Sequence, residues 1–266
     1  MILKRRVSLN NVWLDEIDDR ITISDIECSD GRENISATDT AAGFGQRVTM
    51  SRRNTLDGVV KFRMFERGRS VNGLKERSKL LEKINEWAAP GGILRTNYKT
   101  GRRLNVILAQ APGEGSLWDY TKEFQMTFRA YTIPYWEDNS ASSESFGGNS
   151  SSASKTITVG GSAPTQFNVE LANTSGRNID AATVTVNGNT MTFSSLGLGG
   201  NETLVIDHSN GLVRIRIRNA AGTHRNVMSK RAGANDFTAK PGDVACSFSG
   251  TKRACKMTVS WRSRYL

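Results

Sequence analysis

The chain has 266 residues, of which 37% are hydrophobic, and a formal net charge of +10. That length suits one or two domains, and that apolar content is enough to fill a core, which excludes wholesale disorder. No apolar run reaches the ~18 residues that a spanning helix needs, so no membrane segment is expected.

The N-terminus, MILKRRV, is basic but has neither the apolar run nor the cleavage site of a signal peptide, so a chain that folds in a cytoplasm is expected. Short strands are read at residues 7–9 and 21–23. Residues 29–46 are polar and small, and read as a long exposed loop or arm. Strands resume at 48–50 and 59–65, where Val60, Phe62 and Met64 share one side and Lys61 and Arg63 the other. Residues 74–89 form one amphipathic helix: Leu74, Leu81, Ile84 and Ala88 fall on a single stripe, and Pro90-Gly91-Gly92 ends it. Like-charged neighbours at Lys75/Lys79 and Glu82/Glu86 mean that packing, not ion pairing, must hold this helix. Two strands within 93–109 flank a turn at Lys99-Thr100-Gly101. In 123–130, Phe124, Met126, Phe128 and Ala130 alternate with polar residues.

Residues 138–154 (DNSASSESFGGNSSSAS) carry a single large apolar side chain, Phe146, and read as a linker or mobile loop. This divides the chain into residues 1–137, a β-rich domain with one amphipathic helix, and residues 155–266, a second domain. The charge is +4 up to Glu137 and +6 beyond it, scattered in a way that suits solvated basic faces.

The second domain shows no helix. Strands are read at 155–159, 166–171, 182–186, 190–193, 203–206, 212–217, 244–248 and 255–261, with tight turns at Asn187-Gly188 and Asn210-Gly211. Such short, regularly spaced strands indicate a sandwich or barrel, so the chain as a whole is mainly β. If Gly250-Thr251 forms a two-residue turn, Cys246 faces Cys255 across a hairpin. The pair then reads either as two reduced core cysteines or as a cross-strand disulfide. With only Cys28 besides, the cysteines are too sparse for a disulfide scaffold or a zinc site.

The chain offers little that could do chemistry. Its two histidines, His208 and His224, have no metal-ligand spacing, and His208 reads as a surface turn residue. There is no phosphate loop, dinucleotide motif or nucleophile elbow. Asp15-Glu16-Ile17-Asp18-Asp19 reads as a surface acidic cluster, although a catalytic carboxylate pair would be invisible in sequence. No catalytic, metal-binding or cofactor-binding residue is assigned, no cofactor is expected, and an enzyme is not. Arg214, Arg216 and Arg218 alternate with Ile215 and Ile217, placing three guanidinium groups on the outer face of one strand. They read as a partner-docking face or as charge that protects a sheet edge. No aromatic interleaves with them, so nucleic-acid stacking is not supported.

The order of these parts resembles the distal tail proteins of long-tailed, non-contractile phages. The resemblance rests on the closing strand that runs into Tyr131-Thr132-Ile133-Pro134-Tyr135-Trp136-Glu137, and on five later stretches. These are Ala163-Pro164-Thr165, Glu170-Leu171-Ala172-Asn173, Glu202-Thr203-Leu204-Val205-Ile206-Asp207, Pro241-Gly242-Asp243 and the stretch from Val259 to Leu266. It implies a galectin-like second domain and a ring, a hexamer in that family, at the virion tail tip, assembled in the host cytoplasm. The N-terminal domains would form the ring, which would meet the tail-tube protein on one face and the tail-tip or baseplate hub protein on the other. DNA would pass through the channel without specific binding. The serine-rich segment and the cysteine pair depart from the family pattern. The rival readings are a carbohydrate-binding module, a basic nucleic-acid-binding protein and a tail-tip hydrolase. The first lacks an exposed aromatic platform, because Trp118 and Trp136 lie outside the second domain and Trp261 reads as core.

Overall fold

The computed structural model describes residues 4–28, 32–39, 46–64, 71–113, 123–209 and 212–266. The chain divides into two compact units, Met1–Trp136 and Glu137–Leu266.

The first unit holds β1 (Val7–Leu9), β2 (Val12–Trp13), α1 (Leu14–Ile17), β3 (Ile21–Cys28), β4 (Arg32–Asp39), β5 (Gln46–Met64), α2 (Val71–Ala88), β6 (Gly92–Thr96), β7 (Arg102–Gln110) and β8 (Phe124–Ala130). Its sheet runs β2-β1-β6-β7-β8-β5-β3. Alternation decides which face is buried. Leu56, Val60, Phe62 and Met64 of β5 and Phe124, Met126, Phe128 and Ala130 of β8 all turn inward. The helix supplies Leu80, Leu81, Ile84 and Ala88 to the core, and Trp87 sits edge-on to Phe128 at 6.0 Å between ring centroids. Arg77 lies on the same buried stripe at 2% exposure, a position that the apolar pattern did not mark. Gly91 ends the helix at φ +61°, where a Cβ would stand 2.6 Å from the Val106 carbonyl oxygen, so only glycine fits.

The expected loop at 29–46 is in large part a strand. Throughout its length β4 pairs with Gln46–Thr55 of β5, in a register that includes Ile35 opposite Ser51. The central sheet takes up β5 only from Leu56 onward, through β8 on one side and β3 on the other. The result is a two-stranded ribbon of roughly ten residues, or about 30 Å of chain. Residues 29–31 and 40–45 of the expected loop lie outside the described residues.

The second unit is a β-sandwich. A short strand, β9 (Trp136–Asp138), leads into it. The strands that follow are β10 (Ser142–Ser150), β11 (Ala153–Val159), β12 (Thr165–Asn173), β13 (Ala182–Val186), β14 (Asn189–Phe193), β15 (Thr203–Ser209), β16 (Leu212–Arg218), β17 (His224–Asn226), β18 (Arg231–Gly233), β19 (Thr238–Ala239), β20 (Gly242–Ser249), β21 (Cys255–Trp261) and β22 (Arg264–Tyr265). One sheet runs β10-β21-β12-β15-β16-β17, and the other β11-β20-β13-β14-β18. Their facing sides share one core, with Phe167, Phe193, Phe237 and Phe248 each at most 1% exposed. A fully buried side chain of this kind contributes roughly 1.5–3 kcal/mol.

Three expectations change here. Residues 138–154 are not a linker: they form β10 and the start of β11, each the end strand of its sheet. Half-exposed edge strands need few apolar residues. Phe146 alone anchors β10, stacked on Phe248 at 6.2 Å. A bulge between Gly147 and Ser150 is possible because Gly147 has φ +83°, where a Cβ would meet the Cys255 carbonyl oxygen at 2.7 Å. Second, β20 and β21 do not form a hairpin. They pair in opposite sheets, joined by an arch in which the Thr251 hydroxyl oxygen lies 2.7 Å from both the Ser151 and the Arg253 carbonyl oxygens. Val244, Cys246, Phe248, Cys255, Met257, Val259 and Trp261 are all buried, but they come from both walls of the core. Third, β16 is not an edge strand, since β17 covers Arg216 to Arg218. The Asn187-Gly188 turn has positive φ at both residues, as a tight hairpin turn requires. Ser209 opposes Leu212, while Asn210 and Gly211 between them lie outside the described residues.

Candidate interaction surfaces

The arginine stripe is built on alternation. Ile215 and Ile217 enter the core at 1% exposure, which turns Arg214, Arg216 and Arg218 outward. Arg216 pairs with Asp207 of β15, and Arg218 grips both oxygens of Glu170 on β12 at 2.9 and 3.1 Å. Arg225 joins Glu202 at 3.1 Å. The stripe is therefore a mostly neutralised lattice across four strands, and of its three arginines only Arg214 stands exposed outside those pairs. Bidentate geometry makes such pairs directional, but at the surface they contribute little stability.

Cys246 and Cys255 are free, buried and in opposite sheets, so the hairpin register behind the disulfide expectation does not exist. Burial pushes the Cys246 thiol up to about 11 and raises that of Cys255. Cys28 is raised too, chiefly by burial, with the Tyr98 hydroxyl 3.6 Å from its sulfur. None of the three is an activated thiol.

The acidic cluster is structural. Asp15 takes two hydrogen bonds from the Arg6 Nε, at 2.9 and 3.0 Å, and Glu16 accepts one from Arg6 Nη2 at 3.0 Å. That guanidinium also lies 4.5 Å over the Trp13 ring. The Arg20 side chain holds Asp18 down at about 2, the opposite of what a proton-donating carboxylic acid needs. No cluster of metal-ligating side chains occurs among the described residues, and no helix there is long and apolar enough to cross a membrane.

The outer face of the first unit's sheet carries a patch that sequence reading missed. Ile107 is 52% and Tyr131 50% exposed. Between them Arg129 lies opposite Ile107 in register, grips Asp57 at 2.5 and 2.8 Å, and stands 5.7 Å from the Tyr131 ring. The only sequence signal for it was an apolar residue out of phase with its strand's alternation. Apolar and aromatic groups around a clamped arginine are the composition of a protein-binding surface.

His208 is not a surface turn residue. Its backbone N–H donates to Asn168 Oδ1 at 2.7 Å, and its ring Nε2 accepts the Phe237 backbone N–H at 3.3 Å. His224, on β17, is exposed.

These two units, a helix-backed sheet bearing a ribbon and a β-sandwich, share the fold of the SPP1 Dit protein. A crystal structure of the SPP1 Dit protein, described as a paradigm of the hub adsorption apparatus in phages infecting Gram-positive bacteria, superposes with a TM-score of 0.70. The identity is 12%, over 98% of this chain and 99% of that one. Weaker likenesses are to chains of the phage P2 baseplate in its activated conformation. With calcium the TM-score is 0.49 at 9% identity, covering 99% of this chain and 98% of that one. With strontium it is 0.44 at 8%, covering 97% of each. No family model matches the chain, and no curated protein matches it in sequence.

Proposed function

We propose that the chain is a non-enzymatic ring subunit of a long-tailed phage tail tip, joining the tail tube to the baseplate hub or tail-tip protein around a channel that passes DNA. The observation that carries this reading is the likeness to the SPP1 Dit protein along nearly the full length of both chains. Sharing both units in the same order is a stronger constraint than sharing one common sandwich. The first unit forms the ring, as a hexamer, and the galectin-like second unit lies at its outside.

The β4–β5 ribbon is the arm that joins neighbouring subunits. Two strands alone are marginal in water, and β4 has no partner but β5 among the described residues. A neighbouring copy supplies the missing support in a head-to-tail contact, which closes rings. The exposed Arg214, flanked by the paired Arg216 and Arg218, serves as a docking point for a neighbouring tail protein.

Light scattering with negative-stain imaging tests the reading. A closed ring with a mass of roughly six times the 29.2 kDa chain is expected. A strict monomer at all concentrations, with no affinity for tail-tube or hub protein, would refute it. Replacing residues 32–55 with a short turn is expected to abolish the ring, and an intact ring would remove the ribbon from the interface.

A further inference from the structure

The strap of residues 234–239 crosses one end of the sandwich; besides the Ala234 N–H on the Thr190 carbonyl oxygen at 2.8 Å and the Asn189 side-chain amide on the Thr238 carbonyl oxygen at 3.3 Å, it is held at three further points. Thr238 and Ala239 pair with Gln166 and Thr165 of β12. The Phe237 carbonyl oxygen accepts the Phe167 N–H at 3.0 Å, and its side chain is fully buried in the core. The third point is unusual: the Phe237 N–H has a histidine ring nitrogen as its acceptor, His208 Nε2 at 3.3 Å. A backbone N–H can only donate, so Nε2 must be unprotonated, which places the ring proton on the buried Nδ1. The bond as built therefore requires a neutral imidazole.

We propose that His208 is a proton-operated catch: the neutral ring holds the strap shut, and its protonation releases Phe237 and opens the end of the sandwich. A second proton on Nε2 would set two donors facing each other at hydrogen-bond distance, inside a site that desolvates the new charge. Rotating the ring does not relieve this, because both nitrogens of an imidazolium are donors. The surroundings temper the effect without removing it. Asp207 on β15 and Asp236 on the strap favour the charged ring, as does the Phe167 carbonyl of β12, whereas Arg264 of β22 opposes it. Asp207 is already paired with Arg216 and Arg264 with Glu137, Asp236 accepts the Thr238 hydroxyl, and β16 places the apolar Val213 opposite.

The net direction agrees: burial outweighs the carboxylates and lowers the His208 pKa from its ordinary 6.5. A histidine lowered in the closed state stabilises closure above its open-state value and loses that contribution as pH falls. Opening should thus increase about tenfold for each pH unit below about 6.5, until the closed-state value is passed.

Amide exchange on the full chain between pH 7.5 and 5.0 tests this, read as protection factors at residues 234–239. The β13–β14 hairpin serves as internal reference. Protection of the strap is expected to fall as pH is lowered across the range, while the reference holds. His208→Gln, which offers an amide oxygen that does not titrate, is expected to give a flat profile. The only other histidine is His224, so His224→Gln should keep the wild-type profile. A flat strap profile in the unmodified chain, a pH response that survives His208→Gln, or one abolished by His224→Gln would each overturn the proposal.

Discussion

Residues 29–46 and 138–154 are both poor in apolar side chains, and both contain strands, but they are strands for different reasons. β10 and β11 close the side of a sandwich. Each pairs with a strand that is itself packed, β21 or β20, and Phe146 and Ile157 reach the core. Among the described residues, β4 pairs only with the part of β5 that lies beyond the central sheet. Residues 138–154 borrow their stability from a finished core, whereas β4 has no such support among the described residues. The difference teaches that low hydrophobicity reports which sides of a strand are left uncovered, not whether a strand exists.

The contrast can be broken most forcefully at Phe248, on which Phe146 stacks. Phe248→Ala should cost about 3–5 kcal/mol in denaturant unfolding of the second unit and loosen β10 with it. If β10 kept its amide protection in that variant, it would not depend on the core. Gly147→Ala should cost about 1–3 kcal/mol, because the added methyl meets backbone at a left-handed φ. A neutral result would show that the bulge can shift. Replacing the ribbon, residues 32–55, by a short turn should change the thermal midpoint of the dissociated chain by the equivalent of less than about 1 kcal/mol, because Cys28 and Gly58 already stand opposite each other in the central sheet. A large loss there would mean that the ribbon belongs to its own unit. The smallest effect is expected at the open side of the sandwich, where Lys155 and Glu144 pair at 2.7 Å with both side chains over 40% exposed. Lys155→Ala should alter stability by less than about 1 kcal/mol, and should do so less as salt is raised.

Much of the fold was legible from alternation and turns. Phe124 to Ala130, the helix stripe at Leu81, Ile84 and Ala88, and the Asn187-Gly188 hairpin all follow directly from spacing. What was not legible has physical causes. Two successive strands with an alternating inward set look the same whether they pair with each other or face each other across a core. Hence Cys246 and Cys255 could be given the right side but the wrong sheet. β10 gains its order from β21, a partner distant in sequence, and β4 lacks the apolar alternation that marks a strand with a buried face, so local pattern registers neither. Arg77 was hidden because its long stem can occupy a buried position that only apolar letters advertise. Of the interaction surfaces, the outward arginines were readable, but their neutralisation by Asp207 and Glu170 depends on strand neighbours. His208 was misread because Asn210-Gly211 pointed to a turn, while its partner Phe237 lies far along the chain.

The position of β21 between β10 and β12 has a consequence for biosynthesis. Ser142 is aligned with Trp261, so the first and last long strands of that sheet are direct neighbours, and the last also pairs with β12. A nascent chain emerging from the ribosome holds β10 and β12 without the strand that joins them until translation has passed Trp261. The second unit must therefore fold late and nearly all at once, and a message cut short even a dozen codons before that point would yield a chain with two unzipped edges, prone to aggregate rather than to fold.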